Sequence, residues 1–143
     1  MIIACGNPDR ADDAAGILVA NRLRELSIDV DVCRGGPPEL IEVWSAHDDV
    51  IVVDCVVTGA PAGTVQLWDA SRPVKFRSSG STHGFGLGEA IELARAVGRL
   101  PARLRIYGIE GRNFGIGGAT SMEVQRGVAE VVEKIVAEVG IGT

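Results

Sequence analysis

Val50-Ile51-Val52-Val53-Asp54-Cys55-Val56-Val57 is the stretch that decides the fold. It is rich in β-branched residues and apolar throughout except for Asp54. It is also too short to be read first as a helix, so it predicts a strand. A strand with no polar alternation is buried on both faces, which is the pattern of a central strand in a parallel sheet. The flanking segments supply what such a sheet needs. Upstream, Pro37 and Pro38 suit the first turn of a helix running to about Ala46. Before it, Asp29 to Cys33 alternates as a half-buried strand and turns at Arg34-Gly35-Gly36. Ile17, Ala20, Leu23 and Leu26 mark an earlier helix that starts at Asp12 or Asp13. Ile2 to Cys5 is a short first strand ending at Gly6-Asn7-Pro8.

Downstream, Thr58 to Gly63 is a turn and Thr64 to Trp68 an antiparallel edge strand. Asp69 to Thr82 lacks periodicity and reads as a loop. Leu87, Ala90, Ile91, Ala94 and Val97 mark a helix that starts from Gly84 and closes at Gly98. Leu104 to Ile109 is a strand, and Arg112 to Gly118 a glycine-rich loop. Thr120-Ser121-Met122-Glu123 fits a capping box with Thr120 as N-cap, ahead of a helix with the stripe Val124, Val128, Val131, Ile135 and Val139. The order β-α-β-α-β-β-α-β-α predicts an α/β fold, a three-layer α/β/α sandwich. Its sheet is expected to be twisted and mostly parallel, with about five strands and one antiparallel edge strand. Residues 1–143 are read as a single domain.

Composition narrows the function. Hydrophobic residues at 46% and charged residues at 23% call for a packed core. A net charge of -5 and 4% aromatic residues argue against nucleic acid or an anionic membrane as partner. No apolar run approaches the ~20 residues that span a bilayer, and the N-terminus lacks a basic n-region, so the cytoplasm is the expected compartment. Cys5, Cys33 and Cys55 are odd in number and have no C-x-x-C spacing, which argues against a disulfide framework and the usual structural zinc site.

Three residues stand out as a possible first shell for a divalent transition metal: Asp13, Asp54 and His83. In an open α/β sheet, ligands bind beyond the carboxyl ends of the strands. Asp13 follows the first strand, Asp54 lies near the end of the central one, and His83 precedes a helix. Each has a plainer reading. Asp13 alone is a helix-start acid, and Asp12 competes with it for the inward position. Asp54 alone is a strand-end acid capping a loop, although a buried carboxylate must be paired, hydrogen-bonded or metal-bound. His83 alone is a surface or helix-start residue, and His47, between Ser45-Ala46 and Asp48-Asp49, is read as solvated. Together, three protein ligands leave positions open for water or substrate. Without metal, two facing carboxylates can share a proton as acid and base. The three cysteines near strand ends are a rival constellation for a thiolate metal or redox site, against their reading as small buried hydrophobes. A nucleotide cofactor is not expected, because the first loop has neither G-x-G-x-x-G nor a P-loop and carries three acids.

The chain resembles the hydrogenase maturation endopeptidases across nearly its whole length. Gly6-Asn7 followed by Asp12-Asp13-Ala14-Ala15-Gly16 matches the family's opening motif, and Ile51-Val52-Val53-Asp54 its apolar strand ending in aspartate. Thr82-His83 matches the histidine at a helix start. Gly108-Ile109-Glu110 and Thr120-Ser121-Met122-Glu123-Val124 are similar to its late strand and final helix entry. The resemblance implies a cytoplasmic, monomeric endopeptidase that removes the C-terminal extension of the nickel-iron hydrogenase large-subunit precursor. It implies that Asp13, Asp54 and His83 engage nickel presented by that substrate. Three positions depart from the family pattern. Arg34-Gly35-Gly36 stands where Asp-Gly-Gly is common, Ala14 replaces a glycine, and Ser121 replaces a proline. Arg34 puts a base where an acid is usual, which motivates the alternative of a non-catalytic metal-binding or hydrogenase assembly protein on the same fold. A third reading is a small-molecule hydrolase that uses Asp13 and Asp54 alone.

Overall fold

The apolar run around Val52 forms β3 (Asp49–Val56), the middle strand of a five-stranded sheet. The computed structural model describes residues 1–34, 36–70 and 86–139. On one side of β3 lie β1 (Ile2–Cys5) and then β2 (Asp31–Cys33). On the other lie β5 (Arg103–Glu110) and then β4 (Val65–Asp69). All neighbours run parallel except β4, which pairs antiparallel with β5 at the edge. The expected mostly parallel sheet with one antiparallel edge strand is therefore what forms.

Strand alternation sorts the side chains into two layers. Ile2, Ala4, Ile51, Val53, Cys55, Tyr107 and Ile109 face one way and pack against α1 (Ala15–Glu25) and α4 (Met122–Val139). Ile3, Cys5, Val50, Val52, Leu104 and Ile106 face the other way, against α2 (Pro37–Trp44) and α3 (Leu87–Ala96). The helices need this packing. α2 has only 8 residues, too few to be stable in water alone. It is held by burying Leu40, Ile41 and Trp44, each contributing roughly 1.5–3 kcal/mol. Among the described residues no helix is long and apolar enough to cross a membrane.

Two element starts differ from the sequence reading. Neither Asp12 nor Asp13 caps α1, which instead continues from a 3-10 turn over Ala11–Ala14 with no side-chain cap. The cap of α4 is Ser121, whose hydroxyl oxygen accepts from the Val124 N–H at 3.4 Å. The Thr120 hydroxyl donates to the Ala11 carbonyl at 2.9 Å, so a long-range tie takes the group expected to cap the helix. The expected loop over 69–82 falls largely outside the described residues, as does the helix start at Gly84; α3 begins at Leu87.

Gly16, in the first turn of α1, fixes how closely that helix approaches the sheet. A Cβ there would overlap the Cys5 carbonyl oxygen and lie 2.9 Å from that of Val53. Both obstacles are backbone, at the end of β1 and within β3, so neither can swing aside. Gly16→Ala is expected to cost at least about 2 kcal/mol, read as a lowered urea midpoint at unchanged slope. An unchanged midpoint would show that α1 can slide along the sheet.

Candidate active site

Parallel strands deliver their carboxyl ends to one edge, and there the acids gather. Asp54 is the sixth residue of β3 and only 7% exposed. Its alternation places it in the α2/α3 layer, beyond Val50 and Val52. One oxygen accepts the Cys55 N–H at 2.8 Å. Its register partner on β5 is Gly108, where a Cβ would lie 2.5 Å from the Trp68 ring. The missing side chain lets the indole lie over β5 at Gly108.

Asp13 is half-buried, on the 3-10 turn that follows β1. Its N–H donates to the Arg10 carbonyl at 2.9 Å, and its carbonyl accepts the Asn7 N–H at 3.2 Å. The structure brings Asp13 and Asp54 within electrostatic reach of each other. Burial pushes the Asp54 carboxyl up to about 8, and the charge of Asp13 adds to the shift, against the opposing pull of the Cys55 amide. The third residue of the expected set, His83, lies outside the described residues. Among the described residues no three His, Cys, Asp or Glu side chains form a metal-sized group.

The competition between Asp12 and Asp13 is resolved by hydrogen bonds. Asp12 is fully buried, and its two oxygens accept from three backbone amides: Arg112 at 2.9 Å, Asn113 at 2.9 Å and Ser121 at 2.8 Å. Burial alone would raise its pKa. The amides of Asn113, Ser121 and Arg112, with the Ser121 hydroxyl, outweigh burial and hold it below the usual carboxylate range. Asp12 therefore ties the loop after β5 to the loop after β1, and Asp13 is the one of the pair that acts on Asp54.

Glu110 does similar work at the end of β5. It is 2% exposed and accepts from the Thr58 N–H at 2.8 Å, the Thr58 hydroxyl at 2.6 Å and the Gly59 N–H at 3.3 Å. It thereby anchors the turn that leaves β3. The sequence reading gave Glu110 no role of its own, although it shares the signature of Asp54: an acid ending an apolar strand. Trp68 and Gly108 were missed as neighbours of Asp54, since only strand register joins them.

The cysteines do not form one cluster. Cys5 and Cys33 are register partners and both buried. The thiol–thiol hydrogen bond and burial, with the nearby charge of Asp54, push the Cys5 thiol well up. Cys55 faces the α1/α4 layer, and burial raises its thiol too. Burial and the nearby acids favour the protonated thiol at Cys5 and Cys55.

Comparison with known proteins converges on one group. A family model described as hydrogenase maturation protease matches residues 18–139. The chain is 27% identical to the hydrogenase 2 maturation protease of Escherichia coli (strain K12) over 116 residues, 76% of this chain and 71% of that one. It is similar to the crystal structure of the NiFe hydrogenase maturation protease HycI from Thermococcus kodakarensis KOD1, with 27% identity and a TM-score of 0.72. That match covers 95% of this chain and 88% of the other. The E. coli hydrogenase maturating endopeptidase HybD shares the fold, with 20% identity and a TM-score of 0.75 over 96% of this chain and 90% of the other.

A carboxyl raised on folding makes stability depend on pH with a definite sign. Folded Asp54 holds its proton to about pH 8, whereas the unfolded carboxyl releases it near its ordinary value of 3.8. The folded state therefore binds more protons between these values, and stability falls as pH rises through that window. In chelator-treated protein, Asp54→Asn is expected to be more stable than wild type at pH 8. That gain should shrink toward pH 4 by on the order of 1 kcal/mol per pH unit. Parallel urea midpoints for the two proteins across this range would show that Asp54 ionises freely in the fold.

Proposed function

We propose a function that starts from one fact: the chain belongs to the hydrogenase maturation protease family. It is a peptidase. We infer that it cuts the C-terminal extension from a nickel-loaded nickel-iron hydrogenase large-subunit precursor. Asp13, Asp54 and His83 engage the nickel, which arrives as part of the substrate. The observation that supports this reading is the coupled pair Asp13–Asp54 at the carboxyl edge of the sheet. Two carboxylates that raise each other's cost of ionisation form a site that a divalent cation relieves.

In this reading Asp54 releases its proton as the ion arrives, because a nearby positive charge reverses the effect of burial. Asp13, on a turn braced through Asp12, supplies the second oxygen donor. His83 adds the nitrogen donor that makes the set selective for a transition metal over magnesium or calcium. Bound nickel then fixes the scissile peptide in register with the edge of the sheet, so that only loaded precursor is placed for cleavage. The paired acids are also suited to moving a proton between water and the leaving amine. The protein acts in the cytoplasm, as a monomer.

The test is incubation of purified protein with nickel-loaded and nickel-free precursor, followed by intact-mass analysis. Truncation of the loaded form alone is expected. Asp13→Ala, Asp54→Ala and His83→Ala should each slow it about 100-fold or more, equivalent to about 2.7 kcal/mol, while remaining folded. Binding of loaded precursor without any truncation would overturn the proteolytic reading in favour of an assembly role. Normal processing by His83→Ala would remove His83 from the site. Light scattering of the same protein should give one chain's mass, 15.0 kDa.

A further inference from the structure

Beside the acidic site lies a groove of opposite character. It has a volume of about 430 Å³ and is lined by Ile17, Asn21, Arg24, Val32, Arg34 and Glu39. Its position follows from periodicity. Ile17, Asn21 and Arg24 are spaced to share one face of α1. Val32 and Arg34 alternate with Cys33, so they turn to the sheet face opposite the Cys33 thiol, toward α1. Glu39 comes from the first turn of α2. Arg34 directly follows Cys33, whose thiol is close enough to influence Asp54. The groove thus begins at the edge of the sheet where the acids gather.

Two arginines line this groove on a chain with 19 acidic and 14 basic residues. Arg24 is oriented by donating to the Val30 carbonyl at 2.7 Å, which uses one of its five N–H donors. Among the described residues no ion pair engages Arg24 or Arg34. Asn21 and Glu39 add acceptors for peptide N–H groups, and Ile17 and Val32 add apolar surface. That mixture suits a polypeptide bearing carboxylates. It does not suit a long polyanion, which the overall charge of -5 would repel.

We propose that this groove, through Arg34 and Arg24, is the docking site for an acidic segment of the protein substrate. The proposal rests on the proteolytic reading for the identity of that substrate, but the groove's preference can be measured without cleavage. Arg34 is exposed, so changing it leaves the core intact. The probes are two fluorescein-labelled peptides of equal length, one alternating Glu and Ser, the other Gln and Ser, followed by anisotropy at low salt. Wild type is expected to prefer the Glu-Ser peptide, and Arg34→Glu to weaken that binding about tenfold or more. Arg34→Lys should retain part of it, and added salt should weaken it.

Equal binding of the two peptides, or Glu-Ser binding unchanged in Arg34→Glu, would overturn the proposal. So would tighter Arg34-dependent binding of oligothymidylate, which would make the groove a phosphate site. With a precursor that is processed, Arg34→Glu should raise KM and leave kcat near wild type; a loss confined to kcat would also count against docking. If wild type discriminates the peptides but cleaves no precursor, the groove stands and the proteolytic reading falls.

Discussion

Burial of β3 on both faces is the constraint from which the rest of the structure follows. A strand covered by helices in front and behind offers no solvent for a carboxylate along its length. Asp54 is therefore confined to the carboxyl end, where the α2/α3 layer opens. Even there it is 7% exposed, and its proton affinity rises. The same alternation that sends Val50 and Val52 into one layer sends Cys55 into the other, separating it from Cys5 and Cys33. One strand thus sets the sheet, divides the core and aims the central acid.

The neighbouring carboxylates Asp12 and Asp13 show how consecutive residues of one type are given opposite tasks. Three amides solvate Asp12 as water would, so it remains ionised in a dry place and braces two loops. Asp13, the next residue, is half-buried, and its charge is felt by Asp54. Glu110 repeats the bracing role across the edge. The site is thus an acidic pair framed by acids that are fully occupied. Arg34, just past the carboxyl end of β2, places a base near the same edge, and Arg24 lines the same groove from the other end of that strand.

Much of this was legible along the chain. Local pattern and turn residues located the described strands and α-helices, and the run at Val50–Val57 identified the central strand. Asp54 was legible because an acid in such a run has few physical excuses. What failed, failed for a common reason. Thr120 looks like an N-cap from its local sequence, but its hydroxyl bonds Ala11, 109 residues away. Asp12 and Asp13 are equivalent in local sequence, and they differ only through contacts with Arg112, Asn113 and Ser121. Trp68 and the Arg34 groove likewise become visible only when strands are set in register.

The sequence by itself determined the order and type of the elements, the parallel sheet and the edge at which chemistry collects. These depend on local periodicity and on the handedness and burial of parallel strands, which every chain with this pattern obeys. Only the tertiary structure decided which acid of a pair braces two loops and which one is felt by Asp54, why Gly16 and Gly108 carry no side chain, and that Arg24 and Arg34 line one groove. Those outcomes depend on distances between residues far apart in the chain. They are set by which backbone amides happen to lie within hydrogen-bonding reach once the layers have closed.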